Sequence, residues 1–176
     1  MRFTSTEISD VYAVEIDPIE DPRGSFARSF CAREFEDLGL DPCVAQCNVS
    51  FNLRRGTLRG MHYQIAPHEE AKLVRVTRGS VYDVVVDLRP ESPTFRRWVS
   101  AELRSDLGNA LYAPKGVAHG FQTLEDDTEV FYQMSYPYHP DAGRGVRYDD
   151  PAFGIDWPIG EIIISGRDRA FELFEP

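Results

Sequence analysis

Apolar positions in this chain recur in short bursts broken by glycine and proline, and no long stripe of helical period runs through it. The bursts are rich in Val, Tyr, Phe, Thr and Leu, a pattern that predicts many short antiparallel strands closed into a barrel or sandwich. Strands are expected at VYAVEID from Val11, VAQCNVS from Val44, TLRGMHY from Thr57, KLVRV from Lys72 and SVYDVVVDL from Ser80. Further ones are expected at RWVSAEL from Arg97, ALYA from Ala110 and EVFYQMS from Glu129. One short helix is expected at CAREFEDLGL, where Phe35 and Leu38 fall three apart and Gly39 supplies a stop. The tail after Tyr136 carries Pro137, Pro140, Pro151 and Pro158 and reads as an irregular but ordered wrap, because Phe153, Ile155, Trp157 and Ile162 to Ile164 need something to bury against. With no repeat or flexible linker, one all-β domain over residues 1–176 is expected.

Composition narrows the function. The 19 Lys and Arg stand against 29 Asp and Glu, a formal charge of −10, which disfavours general binding to nucleic acid or an anionic membrane. A small anionic ligand remains compatible if a few arginines are gathered locally. No stretch approaches the roughly 20 apolar residues that cross a bilayer, and the opening MRFTSTEISDVY lacks the apolar core of a signal peptide, so a cytoplasmic location is expected. Cys31, Cys43 and Cys47 lack zinc-site spacing; Cys43 and Cys47 would share a strand face and are expected as small buried hydrophobes.

The most position-specific run is GNALYAPKGVAH, Gly108 to His119, in which Pro114 and Gly116 predict a tight turn that returns the chain carrying His119. This spacing resembles the second signature of the cupin superfamily. The first signature would begin near Gly56 and present two histidines two apart; here they are His62 and Gln64. With one imidazole replaced and no well-placed carboxylate unless Glu69 serves, no metal is expected. A narrower resemblance covers residues 21 to 168. DPRGSFARSF, QCNVS, GTLRGMHYQ, AKLVRVTRGSVYDVVVDLRPESPTF, APKGVAHGFQTL, EVFYQ, DDPAFGIDWP and ISGRD resemble, in order, the motifs of the dTDP-4-dehydrorhamnose 3,5-epimerase family, nucleotide-sugar epimerases within the cupin superfamily. The resemblance implies a cupin-type antiparallel β-barrel or jelly roll, and a homodimer.

The chemistry so implied can be tested on the residues. A 4-keto sugar has acidified hydrogens at C3 and C5; removing one gives an enolate that is reprotonated from the opposite face, with no redox cofactor. The reaction needs a base, an acid across the ring and a positive or hydrogen-bonding group at the oxyanion. His62 suits the base, and the resemblance supplies Asp168 as its partner, Tyr132 as the acid and Lys72 in the sugar pocket. Periodicity puts Tyr132 in phase with Val130 and Met134, and Lys72 in phase with Val74 and Val76; a core tyrosine and a strand-end lysine are the plain alternatives. Likewise His62 also fits a hydrogen-bonded structural histidine, and His119 a turn anchor. Strict alternation turns Arg59 away from His62, unless Gly60 permits a bulge. Asp83 and Asp87 share a face, so one can border the pocket while Asp87 pairs with Arg89.

For the ligand, the resemblance implies Arg23 and Arg59 on the diphosphate, Gln46, Asn48, His119 and Arg167 as further contacts, and Phe26 and Tyr138 flanking the base, with the Arg23 segment reaching into a partner's pocket. Arg28, Gly143 and Arg167 depart from the family's usual glutamate, glutamate and lysine, and Ala71 from a common glycine, so the nucleotide is less determined than the chemistry. The leading expectation is epimerisation at C3 and/or C5 of a nucleotide-linked 4-keto-6-deoxyhexose. The alternatives are a single-site epimerase, a sugar ketoisomerase, a non-catalytic nucleotide-sugar binding cupin and, last, a metal-dependent oxygenase.

Overall fold

The computed structural model describes residues 1–175; Pro176, the end of the expected domain, lies outside the described residues. Fourteen strands and two short helices follow one another among them: β1 (Arg2–Ser5), β2 (Tyr12–Glu15), β3 (Ile19–Asp21), β4 (Gly24–Phe26), α1 (Ala32–Glu36), β5 (Gln46–Asn52), β6 (Thr57–Gln64) and β7 (Lys72–Arg78). Then come β8 (Ser80–Asp87), β9 (Trp98–Arg104), β10 (Ala110–Ala113), β11 (Val117–Thr123), β12 (Thr128–Met134), β13 (Gly143–Gly145), β14 (Ile163–Ile164) and α2 (Gly166–Arg169). One sheet runs β1-β2-β10-β7-β12-β5 and the other β13-β6-β11-β8-β9, with β14 added beside β6; every pairing is antiparallel except β14 with β6. This is the all-β architecture the strand pattern predicts, arranged as the jelly roll that the resemblance implies.

The inner faces meet in a core that includes Val74, Val76 and Val130 from the first sheet and Val81, Val85 and Phe121 from the second. Both outer faces are covered in part. Phe35 of α1 packs with Leu73 and Tyr112 beneath the first sheet. Phe153, Ile155, Trp157 and Phe174 of the C-terminal wrap cover Met61, Val84 and Val86 of the second, as the apolar residues of the tail require. Ile163 is the exception: it stays 45% exposed, because β14 is held to β6 through its backbone. Two-sided cover explains why all seven residues of β11 are buried and why its sequence lacks a strand alternation.

Three expectations need correction. The helix ends at Glu36, and Leu38 is 45% exposed; Gly39, at φ +72°, stops it as expected, but only Phe35 reaches the core. The cysteines are not buried hydrophobes: Cys43 and Cys47 are exposed and Cys31 is half-buried. Cys43 precedes the strand rather than lying on it, and Cys47 sits on the outer face of β5, the last strand of its sheet, where nothing among the described residues covers Cys47, Val49 or Phe51.

Asp87 does pair with Arg89, 2.8 Å from its Nε, and also accepts from Ser92 and Thr94. Burial pushes its carboxyl up, but these bonds outweigh it and hold the group down to about 2. It pins the end of β8, while Asp83 serves the interior.

Candidate active site

A cavity of about 510 Å³ opens between the two sheets. What brings functional groups into it from β6 is a bulge. His119 of β11 pairs with His62 and Phe121 with Arg59, so Gly60 and Met61 together stand opposite the single Gly120. Only glycine serves at position 60: its φ is +139°, and a Cβ there would lie 2.6 Å from Gly120 Cα. Met61 then points to the outer core, and both Arg59 and His62 line the cavity. The conflict that strict alternation poses for Arg59 is thereby resolved.

His62 is held by the C-terminal wrap. Its Nε2 lies 2.8 Å from Asp168 Oδ1, and Asp168 also accepts from the Gly60 amide at 3.4 Å. Ser165 caps α2 by accepting from the Asp168 amide at 3.0 Å, which fixes where the carboxylate points. Burial pushes the Asp168 carboxyl up, yet the hydrogen bond and charge of His62 and the backbone bond outweigh it, so the group sits below the usual carboxylate range. An ionised Asp168 accepts a hydrogen bond from Nε2–H and leaves Nδ1 as the basic nitrogen. Phe171 packs edge-on to the imidazole, with ring centroids 5.8 Å apart.

The opposite wall comes from the other sheet. Tyr132 of β12 and Lys72 of β7 both line the cavity. Burial raises the Tyr132 phenol pKa; Arg59 opposes this and Glu70 adds to it, and the net direction keeps the phenol protonated. Lys72 Nζ is 2.5 Å from Glu70 Oε1 and donates to the His62 carbonyl at 3.3 Å. Glu70, whose side chain is 2% exposed, was missed by sequence reasoning: it lies in the loop before β7, and its only signal is a carboxylate two residues ahead of an in-phase lysine. Beside it, His119 Nε2 lies 2.8 Å from the fully buried Asp83, whose carboxyl is raised by burial, with His119 and Lys72 opposing. So His119 is the cavity-lining member of a second histidine–aspartate pair rather than only a turn anchor, although the turn at Gly116 forms as predicted.

Gln46, Asn48, Tyr138 and Arg167 also line the cavity, as does Arg144, which sequence reasoning did not single out. Arg59 donates to Asn52 Oδ1 at 2.7 Å. Arg23 and Phe26 are not in the cavity. They lie on the projecting β3–β4 hairpin, where Phe26 is 75% exposed and Arg23 pairs with its own neighbour Asp21 at 2.6 Å. Arg28 pairs with Glu34 beside α1. Among the described residues no group of three His, Cys, Asp or Glu is placed to hold a metal ion, and Gln64 is committed to backbone groups. In sum the cavity offers a histidine–aspartate base and a neutral phenol on opposing sheets, with an ammonium and three arginines nearby, a set able to move protons on two faces of a small anionic ligand.

A family model for dTDP-4-dehydrorhamnose 3,5-epimerase matches residues 5–175. The chain belongs to this family. The dTDP-4-dehydrorhamnose 3,5-epimerase of Sinorhizobium fredii is 43% identical over 171 residues, 97% of this chain and 88% of that protein. The crystal structure of the epimerase of that name from Elizabethkingia anophelis superposes with a TM-score of 0.96 at 36% identity, covering 99% of this chain and 96% of that one. A 3'-monoepimerase from Streptomyces bikiniensis, in complex with dTDP-quinovose, superposes with a TM-score of 0.89 at 35% identity over 96% of this chain and 85% of that one. The matched residues 5–175 take in nearly all of the barrel and the C-terminal wrap, including the segment that carries Asp168.

Proposed function

We propose that this chain, as one catalytic domain, epimerises a dTDP-linked 4-keto-6-deoxyhexose at C3 and C5, the conversion of dTDP-4-dehydro-6-deoxyglucose to dTDP-4-dehydrorhamnose. The observation that carries the reading is the placement of the His62–Asp168 pair and Tyr132 on opposing sheets of one cavity. His62 Nδ1 removes the proton alpha to the ketone, and Asp168 stabilises the imidazolium. Lys72 meets the enolate oxygen, with His119 nearby as a hydrogen-bond donor. Tyr132 delivers a proton to the other face. Arg59 and Arg167 hold the diphosphate, since a guanidinium matches phosphate oxygens and keeps its charge. Gln46 and Asn48 contact the nucleotide, and Tyr138 stacks on the base.

The test is incubation with dTDP-4-dehydro-6-deoxyglucose in deuterated water, with label located by NMR. Deuterium at C3 and C5 of an inverted sugar is the expected result. Label at C3 alone would favour the single-site reading that the monoepimerase likeness raises, and tight binding with no label would leave a nucleotide-sugar binding module.

The reading includes a homodimer in the cytoplasm, where three free cysteines are at home. The dimer is supported by two exposed features: the uncovered outer face of β5, with Val49 60% and Phe51 45% exposed, and the β3–β4 hairpin, whose Ile19 and Phe26 are 71% and 75% exposed. Arg23 at the hairpin turn then completes the partner's diphosphate site, and Phe26 its base site. Mixing Arg23→Ala with His62→Ala subunits is expected to restore activity, because each mixed dimer regains one site free of both changes. Activity no higher than either parent, with subunit exchange confirmed, would reject shared sites.

A further inference from the structure

Two loops form the rim of the cavity. Residues 65–71 lead into Glu70 and Lys72, and residues 135–142 carry Tyr138. Between them stands Gln64, the last residue of β6 and only 4% exposed. Its Nε2 donates to the His68 carbonyl at 2.8 Å and to the Pro137 carbonyl at 3.3 Å. Its Oε1 accepts from the His139 amide at 2.6 Å. The residue between those two contacts is held from the other sheet: the Tyr138 amide donates to Gln46 Oε1 at 2.9 Å, and Gln46 Nε2 donates to Asn48 Oδ1 at 2.9 Å. Three consecutive residues, 137 to 139, are therefore fixed by two glutamine carboxamides from facing sheets. The His68 and His139 rings, stacked at 4.0 Å and 11°, join the two loops again above Gln64.

Both amide hydrogens of Gln64 are spent on backbone carbonyls, so the side chain has no donor left for a ligand. Its connections instead couple the loop at the sugar end of the cavity to the loop at the nucleotide end. We infer that Gln64 is a positioning residue for nucleotide-sugar binding, which sets Tyr138 at a fixed distance from Lys72 and His62. The inference rests on the reading of Tyr138 as the group that stacks on the base. Without the tie, the rim loop must be ordered at the moment of binding, and affinity falls by that cost, whereas the bound ring still meets the same proton-transfer groups.

The experiment compares Gln64→Met, Gln64→Glu and Tyr138→Ala by calorimetric binding of thymidine diphosphate and by steady-state kinetics. Methionine keeps the volume and loses the hydrogen bonds, and should weaken diphosphate binding about ten-fold. KM should rise in parallel, with kcat within about two-fold of the parent. Glutamate gives a second readout. As a carboxylate it turns lone pairs on the His68 and Pro137 carbonyls; protonated, it donates to one of them and the tie re-forms. The affinity of Gln64→Glu should therefore approach that of the parent as pH falls from about 8 to about 5.5, and fall away as pH rises. His68, His139 and Tyr136 face the same spot and are present in both proteins, so the ratio of the two affinities removes their contribution.

A glutamine that only supports the fold would lower kcat and thermal stability together and show no recovery at low pH; that result overturns the inference. Weak binding in Tyr138→Ala with normal binding in Gln64→Met also overturns it while leaving the stacking reading intact. Normal binding in Tyr138→Ala removes the stacking reading and, with it, the inference, whatever Gln64→Met does. Should Gln64→Met fail to fold, the pH course of Gln64→Glu decides alone.

Discussion

Replacing His62 with alanine is expected to lower deuterium incorporation at the sugar carbons by about 10²- to 10⁴-fold, the range typical for loss of a positioned general base. The imidazole sits between a buried carboxylate and the cavity, 2.8 Å from Asp168, so its removal deletes the proposed basic nitrogen at that wall. Asp168→Ala should lose most of the same activity, because the aspartate works through the histidine. It fixes the ring and balances the imidazolium, and its own carboxyl stays ionised below the usual range and takes no proton. The double variant should be scarcely slower than His62→Ala alone, the non-additivity of two groups acting as a unit. The measurement is solvent exchange by NMR together with affinity for thymidine diphosphate, which should stay near that of the parent. Near-normal exchange in His62→Ala would mean that another group is the base.

Tyr132→Phe should separate the two halves of the reaction. The ring packs against the inner core beside Val130, and phenylalanine preserves that packing while removing the proton. Burial holds the phenol protonated, the state an acid requires. Product formation should fall by about 10²-fold or more, while loss of the substrate's own hydrogen to solvent falls less, because His62 still forms the enolate. Monitoring wash-out of label from deuterated substrate alongside inversion distinguishes the two. If both fall equally, Tyr132 positions the substrate or stabilises the enolate and the acid lies elsewhere.

The parts of the fold that sequence shows are those where one local rule decides. KLVRV and SVYDVVVDL are β-branched runs that can do little but form strands, and both begin where expected. Alternation shows that a strand has two faces but not which of them the chain covers, so Cys47 was assigned inward when β5 turns it out at an edge. The strands at Gly24–Phe26, Gly143–Gly145 and Ile163–Ile164 are two or three residues long, below any period that a pattern can display. In the site, His62, Tyr132 and Lys72 could be placed because they fall within motifs that resemble the family's, with periodicity adding only that Tyr132 and Lys72 lie in phase with valines. Glu70 and Arg144 could not, because they stand in or beside loops whose course is set by distant contacts: Glu70 by the bonds of the next residue, Ala71, with Ser135, Arg144 by the pairing of Gly143 and Gly145 with Gln64 and His62.

The bulge at Gly60 and Met61 gives β6 two reading frames. Before it, odd-numbered residues look inward, so that Arg59 faces the cavity; after it, even-numbered ones do, so that His62 and Gln64 face it too. A regular strand would set neighbouring inward groups about 7 Å apart and would present either Arg59 or His62 to the cavity, never both. The frame shift lets a single eight-residue strand carry the proposed anion holder, the proposed base and the proposed loop tether in succession. On that reading charge binding and proton transfer share one element, and any movement of that strand carries both together.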